Sequence, residues 1–270
     1  MKLPFKQVDV FTDKPFLGNP VAVIIGAEGL DTHTMQRIAC WTNLSETTFL
    51  LKSEAADYRL RIFTPRQELP FAGHPTLGSA HAALESGFVK RSAKLTQECG
   101  AGIIELSVEK EGLFLRGPQA RIGDVRKTLP FAAKLLRIDV GPVWIVGEVA
   151  DSRKLAALEP DMTAIARFSL DHEASGVTLF APSGESEAAI HVRSFAPAHG
   201  IPEDPVCGSG NLSVGAYLKQ TNQVERFGEA YVARQGMQLG RDGRVAVRIE
   251  ADGIRIGGHA VTCVDGKIEI

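Results

Sequence analysis

The sequence predicts an α+β protein of two similar halves, each a mainly antiparallel, curved sheet wrapped round a central apolar helix. Three observations carry this. Two glycine-rich turns, Phe71-Ala72-Gly73-His74-Pro75-Thr76-Leu77-Gly78 and Pro205-Val206-Cys207-Gly208-Ser209-Gly210-Asn211-Leu212, stand 135 residues apart (208 − 73), half the length of a 270-residue chain. Each follows an Arg-x-Phe-x-Pro segment, Arg61-Ile62-Phe63-Thr64-Pro65 and Arg193-Ser194-Phe195-Ala196-Pro197, 132 apart (193 − 61). Strand-like segments outnumber helical ones and are joined by short Gly or Asp-Gly turns. That favours hairpins over the strand-helix alternation of a parallel doubly wound sheet.

In chain order, residues 6–11 and 21–25 read as strands joined by the turn-rich Pro15-Phe16-Leu17-Gly18-Asn19-Pro20. Asp31 or Thr32 can cap a helix with apolar positions Met35, Ile38, Ala39 and Trp41. Residues 47–51 and 58–63 return to strand. A helix follows His74, with Pro75 in its first turn, Gly87 as its stop, and Ala80, Ala82, Ala83 and Leu84 leaving little polar surface. Residues 102–108 and 113–115 read as strands. The second half repeats the logic: strands at 143–149, 176–181 and 189–195, then a helix after Ser209 with Leu212, Val214, Ala216, Tyr217 and Leu218 spread round its cylinder, so it is buried on several sides. Strands at 231–234, 244–250, 253–256 and 267–270 close the chain.

Composition excludes some classes. The hydrophobic fraction of 44% and charged fraction of 23% are those of an ordinary globular protein. A net charge of −2, with no basic cluster among aromatics, gives no basis for nucleic-acid or anionic-membrane binding. The N-terminus has no signal-peptide core and no segment has membrane-spanning length, so a cytoplasmic location is expected. Cys40, Cys99, Cys207 and Cys263 are scattered, with no metal-ligand spacing, and no metal is expected.

Three segments carry candidate chemistry. Glu46, in Asn43-Leu44-Ser45-Glu46-Thr47-Thr48-Phe49, lies where a helix gives way to an apolar strand, a setting that raises a carboxyl pKa into the useful range. His74 follows Gly73 at a helix start, where it could bind substrate or transfer a proton. Glu203-Asp204-Pro205-Val206-Cys207-Gly208-Ser209-Gly210 combines two acids, a thiol and a glycine-rich helix start whose amides suit an anion. Cys207 there is expected to have a lowered thiol pKa. Each also admits a structural role: a surface Glu, a capping His, an N-capping Asp204, a small buried Cys207. Two helix N-termini, one per half, would together form an anion-binding cleft.

Val8-Asp9-Val10-Phe11, Gly18-Asn19-Pro20-Val21-Ala22-Val23, Leu44-Ser45-Glu46-Thr47, Pro70-Phe71-Ala72-Gly73-His74-Pro75 and Glu203-Asp204-Pro205 with Gly208-Ser209 resemble the phenazine-biosynthesis isomerase (PhzF-like) family over nearly the whole chain. The resemblance implies a diaminopimelate epimerase-like fold of two halves, 1–120 completed by strand 262–270, and 121–261. It implies a cofactor-independent isomerase of biosynthesis whose site lies between the halves. Glu46 would carry the proton, His74 and Asp204 would share catalysis, and Gly73, Gly208, Ser209 and Cys207 would contact the substrate. Cys207 stands where this family commonly has Thr, while amino-acid epimerases of this fold have a catalytic Cys. The partner position here is Ala72, so a two-thiol mechanism is unavailable; a racemase, epimerase or dehydratase with Cys207 as one base stays open, as does a non-catalytic binding protein. The partners expected are a small carboxylate-bearing substrate and, as an option, a second copy of the chain.

Overall fold

A computed structural model describes residues 1–132 and 134–270. The chain divides into two compact units, Met1–Leu115 with Gly257–Ile270, and Arg116–Ile256. The unit boundaries at 115/116 and 256/257 compare with the 120/121 and 261/262 expected from sequence.

The first unit runs β1 (Lys2–Val10), β2 (Asn19–Ile25), α1 (Thr32–Thr42), β3 (Thr47–Leu51), β4 (Tyr58–Phe63), β5 (Glu68–Leu69), α2 (Gly73–Glu85), β6 (Lys94–Cys99), β7 (Gly102–Glu109) and β8 (Gly112–Arg116). Antiparallel pairs dominate: β1 with β2, β3 with β4, β4 with β5, β6 with β7 and β7 with β8. Where a helix intervenes, the pair is parallel. β2 meets β3 across α1, and β4 meets β6 across α2. The second unit repeats this order with β9 (Arg121–Asp124), β10 (Leu135–Asp139), β11 (Val143–Glu148), α3 (Ser152–Ala156), α4 (Met162–Asp171), β12 (Gly176–Pro182), β13 (Ile190–Ala196), β14 (Ile201–Asp204), α5 (Gly208–Gln220), α6 (Val224–Phe227), β15 (Ala230–Gln235), β16 (Gly243–Glu250) and β17 (Gly253–Gly258). Here β11 with β12 and β13 with β15 are the parallel pairs.

β18 (Ala260–Glu269) returns to the first unit and pairs antiparallel with β1, from Lys2↔Glu269 to Val10↔Ala260. β9 takes the corresponding place beside β10 in the second unit. The strand that follows β8 therefore belongs to the second unit, and the strand that follows β17 belongs to the first. Each repeat gives its last strand away.

β3 and β12 are buried on both faces, so successive side chains pack against opposite layers. Phe49 packs with Met35 and Ala39 of α1, and its ring meets Phe63 edge-on at 5.5 Å. Thr48, on the opposite face, shares a 2.8 Å hydrogen bond with Ser79 of α2. In the second unit Val177 and Leu179 pack with Ile165 and Phe168 of α4, while Phe180 meets Tyr217 of α5 at 5.2 Å. Asp31 caps α1 by accepting from the Thr34 N–H at 2.7 Å. Trp41 does not share the apolar face predicted for it: six residues past Met35, about 240° round the helix, it is 80% exposed. Phe11, placed in the first strand by the sequence, lies beyond it with φ 65°. Among the described residues no helix is long and apolar enough to cross a membrane.

Candidate active site

In the first unit a turn delivers a carboxyl to the start of the central helix. α1 ends at Asn43, which adopts the left-handed conformation (φ 55°) and donates its N–H to the Ala39 carbonyl. The Thr42 and Thr47 hydroxyls, 2.6 Å apart, tie the two ends of the turn. The Ala22 N–H donates to the Glu46 carbonyl at 3.4 Å, which registers Glu46 at the foot of the parallel β2–β3 pair. The Glu46 side chain is 14% exposed, and its Oε2 lies 3.3 Å from Nε2 of His74, which is 8% exposed. Burial pushes the Glu46 carboxyl up to about 7, and the Ser45 hydroxyl pulls weakly the other way. A carboxyl that is half ionised at neutral pH can both take and return a proton.

His74 is the second residue of α2. Ala72 supplies no side-chain cap, Pro75 has no N–H, and the Thr76 N–H already donates to the Ala72 carbonyl at 3.2 Å. Gly73 and His74 open the helix, where backbone amides lie outside its internal hydrogen-bond ladder.

In the second unit the equivalent helix start is built more elaborately. Arg193 binds Glu203 through two hydrogen bonds of 2.8 Å, and both side chains are 7% exposed. Its remaining nitrogen donates to the Leu155 and Leu158 carbonyls. This pins β14, at whose end Asp204 lies, to β13. Asp204 Oδ1 accepts the Val206 N–H at 3.0 Å and so closes the turn into α5. Cys207 caps α5, its Sγ accepting the Gly210 N–H at 3.3 Å. Gln235, fully buried on β15, accepts from the Cys207 N–H and from the Asn211 side chain, and donates to the Asp204 carbonyl. Ser209 accepts a 2.9 Å hydrogen bond from the Trp144 indole N–H and lies 3.6 Å from the Cys207 sulfur.

The first unit carries the same device in exposed form: Arg61 binds Glu68 at 2.7 and 2.6 Å. Each glutamate stands five residues before its helix-opening glycine (73 − 68 and 208 − 203). The repeated Arg-x-Phe is therefore half of a clamp on the arm that starts the central helix.

One expectation is corrected. The Cys207 thiol is raised well above its ordinary value, not lowered: burial dominates, the nearby Asp204 charge adds to it, and hydrogen bonds from Ser209 and Gly210 only partly offset it. The helix start acts on a thiol that is 4% exposed, and desolvation of the thiolate wins. Cys207 is neutral and acts as a cap.

Within the first unit, then, Glu46 meets His74 beside Gly73; within the second, Asp204, Cys207, Gly208 and Ser209 gather in one turn. Among the described residues, no three His, Cys, Asp or Glu side chains gather where they could hold a metal ion. Sequence reasoning missed Trp144 and Gln235 as parts of this turn, and it named Arg193 and Glu203 in their motifs without their pairing. The signal for Gln235 was a polar residue at an inward position of an alternating strand, after Tyr231 and Ala233. For Trp144 the sequence held none.

Comparison with known proteins bears on this arrangement. The model of the family described as phenazine biosynthesis-like protein matches residues 8–116 and 118–266. Antisense-enhancing sequence 1 of Schizosaccharomyces pombe is 38% identical, with 97% of each chain covered. Trans-2,3-dihydro-3-hydroxyanthranilate isomerase of Pseudomonas chlororaphis is 32% identical, again with 97% of each chain covered. The crystal structure of the Bacillus anthracis phenazine biosynthesis protein, PhzF family, superposes with a TM-score of 0.90 at 27% identity over 100% of both chains.

Proposed function

The chain belongs to the phenazine biosynthesis-like protein family, and from that premise we propose that it is an isomerase that moves a proton between carbons of a small, cyclic, carboxylate-bearing amino or hydroxy acid. The observation that carries this reading is the Glu46 carboxyl, pushed up to about 7 by burial and held 3.3 Å from His74 at the start of α2. Ionised Glu46 takes a proton from a C–H bond of the substrate; the electron pair moves into the ring and towards the substrate carboxylate. Protonated Glu46 then returns the proton to another ring carbon, and the double bond comes to rest in its new position. Atoms and charge balance with no external oxidant or reductant. His74 orients Glu46, and the amides of Gly73 and His74 suit the substrate's negative charge. Asp204, Gly208 and Ser209 are assigned to substrate contact. Cys207 is given no part as a base, because its thiol is neutral.

The fission-yeast relative's name states no reaction, so the substrate class rests on the Pseudomonas relative and on the chemistry of the carboxyl. The test is incubation with trans-2,3-dihydro-3-hydroxyanthranilate in deuterated water, followed by NMR. The expected result is an isomer whose double bond and ring C–H have changed places; solvent deuterium at the reprotonated carbon reports only how far protonated Glu46 exchanges with water before it returns the proton. Glu46→Gln should slow this by about 10² to 10⁴-fold. Near-normal turnover in Glu46→Gln refutes the mechanism, and no isomer with the wild-type protein refutes the substrate.

A further inference from the structure

The two units carry different residues at positions that their repeats align. Thr47 is paired with Phe63, and Val177 with Phe195. Phe63 and Phe195 hold the same place in the repeated Arg-x-Phe-x-Pro, so Thr47 corresponds to Val177 and Glu46 to Gly176. On the neighbouring strand Ala22 is paired with Thr47, and Ile145 with Val177. Val21 therefore corresponds to Trp144. At the helix starts His74 corresponds to Ser209, each the second residue of its helix.

One corner thus contains Val21, Glu46 and His74; its counterpart contains Trp144, Gly176 and Ser209. The indole lies against the face of Gly176 from which a side chain would extend. A Cβ at position 176 would collide with the Phe195 carbonyl and come within 2.8 Å of Trp144 Cζ3. Trp144 is 4% exposed, and its N–H needs a buried acceptor. It finds Ser209 Oγ at 2.9 Å. Where the first unit sets an acid-base pair, the second sets a donor against a hydroxyl.

We propose that Trp144 is a positioning residue that fixes the Ser209 hydroxyl as a hydrogen-bond donor to the substrate carboxylate. This rests on the reading above that Ser209 contacts the substrate. An indole N–H can only donate, so it occupies one lone pair of Oγ and halts the hydroxyl rotor. The serine proton must then point elsewhere. Within the protein the neighbouring acceptor is the Cys207 sulfur at 3.6 Å, a weak one. A carboxylate accepts the same proton through a shorter, charge-assisted bond. The resulting chain from indole N–H to hydroxyl to carboxylate is mutually polarising. Neither Trp144 nor Ser209 exchanges a proton with the substrate. Trp144 therefore governs binding, and Glu46 governs turnover.

Benzoate is the probe. Trp41, 80% exposed, is the other tryptophan of the chain, so Trp41→Phe leaves Trp144 as the sole indole. Three results are expected. Benzoate changes the emission of Trp144 saturably in the Trp41→Phe background, and Ser209→Ala shifts that emission before any benzoate is added. Trp144→Phe and Ser209→Ala each weaken benzoate binding about tenfold by calorimetry, the loss of one such hydrogen bond. The double variant binds no more weakly than Ser209→Ala alone, because both changes remove one chain of bonds. Additive losses, unaltered binding in Trp144→Phe, or no saturable benzoate binding by the wild type overturns the proposal. If Trp144→Phe fails to fold, the Trp144 emission in Ser209→Ala decides, and an unchanged spectrum overturns it. Absent isomerisation would sink the isomerase reading while leaving this coupling intact; additive coupling would sink the Trp144 assignment while leaving the Glu46 chemistry intact.

Discussion

Replacing Glu46 by Gln should weaken turnover and strengthen the fold together, and the pH at which the strengthening begins is fixed by the structure. Burial raises this carboxyl from 4.5 to about 7. A group held neutral by the fold binds its proton more tightly folded than unfolded. Its contribution to stability is fully present below pH 4.5 and is lost as pH rises to about 7. At roughly 1.36 kcal/mol per pH unit, the ionised group in the folded protein above pH 7 represents up to about 3 kcal/mol of lost stability. Gln keeps the shape and never ionises. The difference in unfolding free energy between Glu46→Gln and wild type, measured by urea denaturation, should be near zero at pH 4, grow between pH 4.5 and 7, and level off near 3 kcal/mol in favour of the variant. In parallel, wild-type kcat/KM should rise with pH to a plateau above about 7, since the first step needs the carboxylate. A stability difference that does not change with pH would mean that Glu46 titrates as an ordinary surface carboxyl. The same flat profile would remove the reason to assign it the proton transfer.

Three further outcomes follow from the second unit. Cys207→Ser should keep most activity, and a maleimide should label exposed Cys40 while leaving buried, neutral Cys207 unmodified in the folded protein, read by peptide mass mapping. Gly210→Ala should lower stability by about 1–3 kcal/mol, because the new methyl would sit 2.7 Å from Ser194 Oγ and 2.9 Å from Thr178 Oγ1; an unchanged melting temperature would show that these hydroxyls move aside. Arg193→Ala should lower stability by about 3–5 kcal/mol because it leaves the Glu203 charge buried alone, whereas Arg61→Ala, at the more exposed pair, should lower it by no more than about 1 kcal/mol. Equal effects would refute the difference in burial as the cause.

Much of this architecture was legible because the chain repeats itself. The 135-residue offset placed both central helices, and the strands read at 47–51 and 58–63 coincide with β3 and β4. The parallel pairs were not legible: Asp-Gly and Gly turns advertise hairpins locally, while the β2–β3 partnership depends on α1 packing back over both strands. α4 did carry a signal, the Asp161 cap followed by Met162, Ile165 and Phe168, which the strand-led reading passed over. For the site, Glu46 and His74 were visible from motif and local polarity, but the 3.3 Å approach between them is a tertiary fact. Cys207 shows the limit of reasoning from position: a helix start favours a thiolate, and only the packed surroundings reveal that burial outweighs it. The correspondence of Trp144 with Val21 emerges from strand register alone.

The exchanged terminal strands have a consequence for the order in which the protein is made. On the ribosome the second unit, Arg116–Ile256, is one continuous stretch and can close as soon as it has emerged. The first unit has most of its residues far earlier, yet β1 must wait for β18, whose pairing joins Lys2 to Glu269. Lys6, 5% exposed, meets Glu85 of α2 early but waits for Asp265, its second ion-pair partner at 2.8 Å. The half synthesised first is therefore the half completed last. Until β18 has been made it presents a nine-residue strand with one unsatisfied edge. A nascent chain in that condition is a natural client for a chaperone, and its exposure ends only when residues 260–269 have emerged and paired.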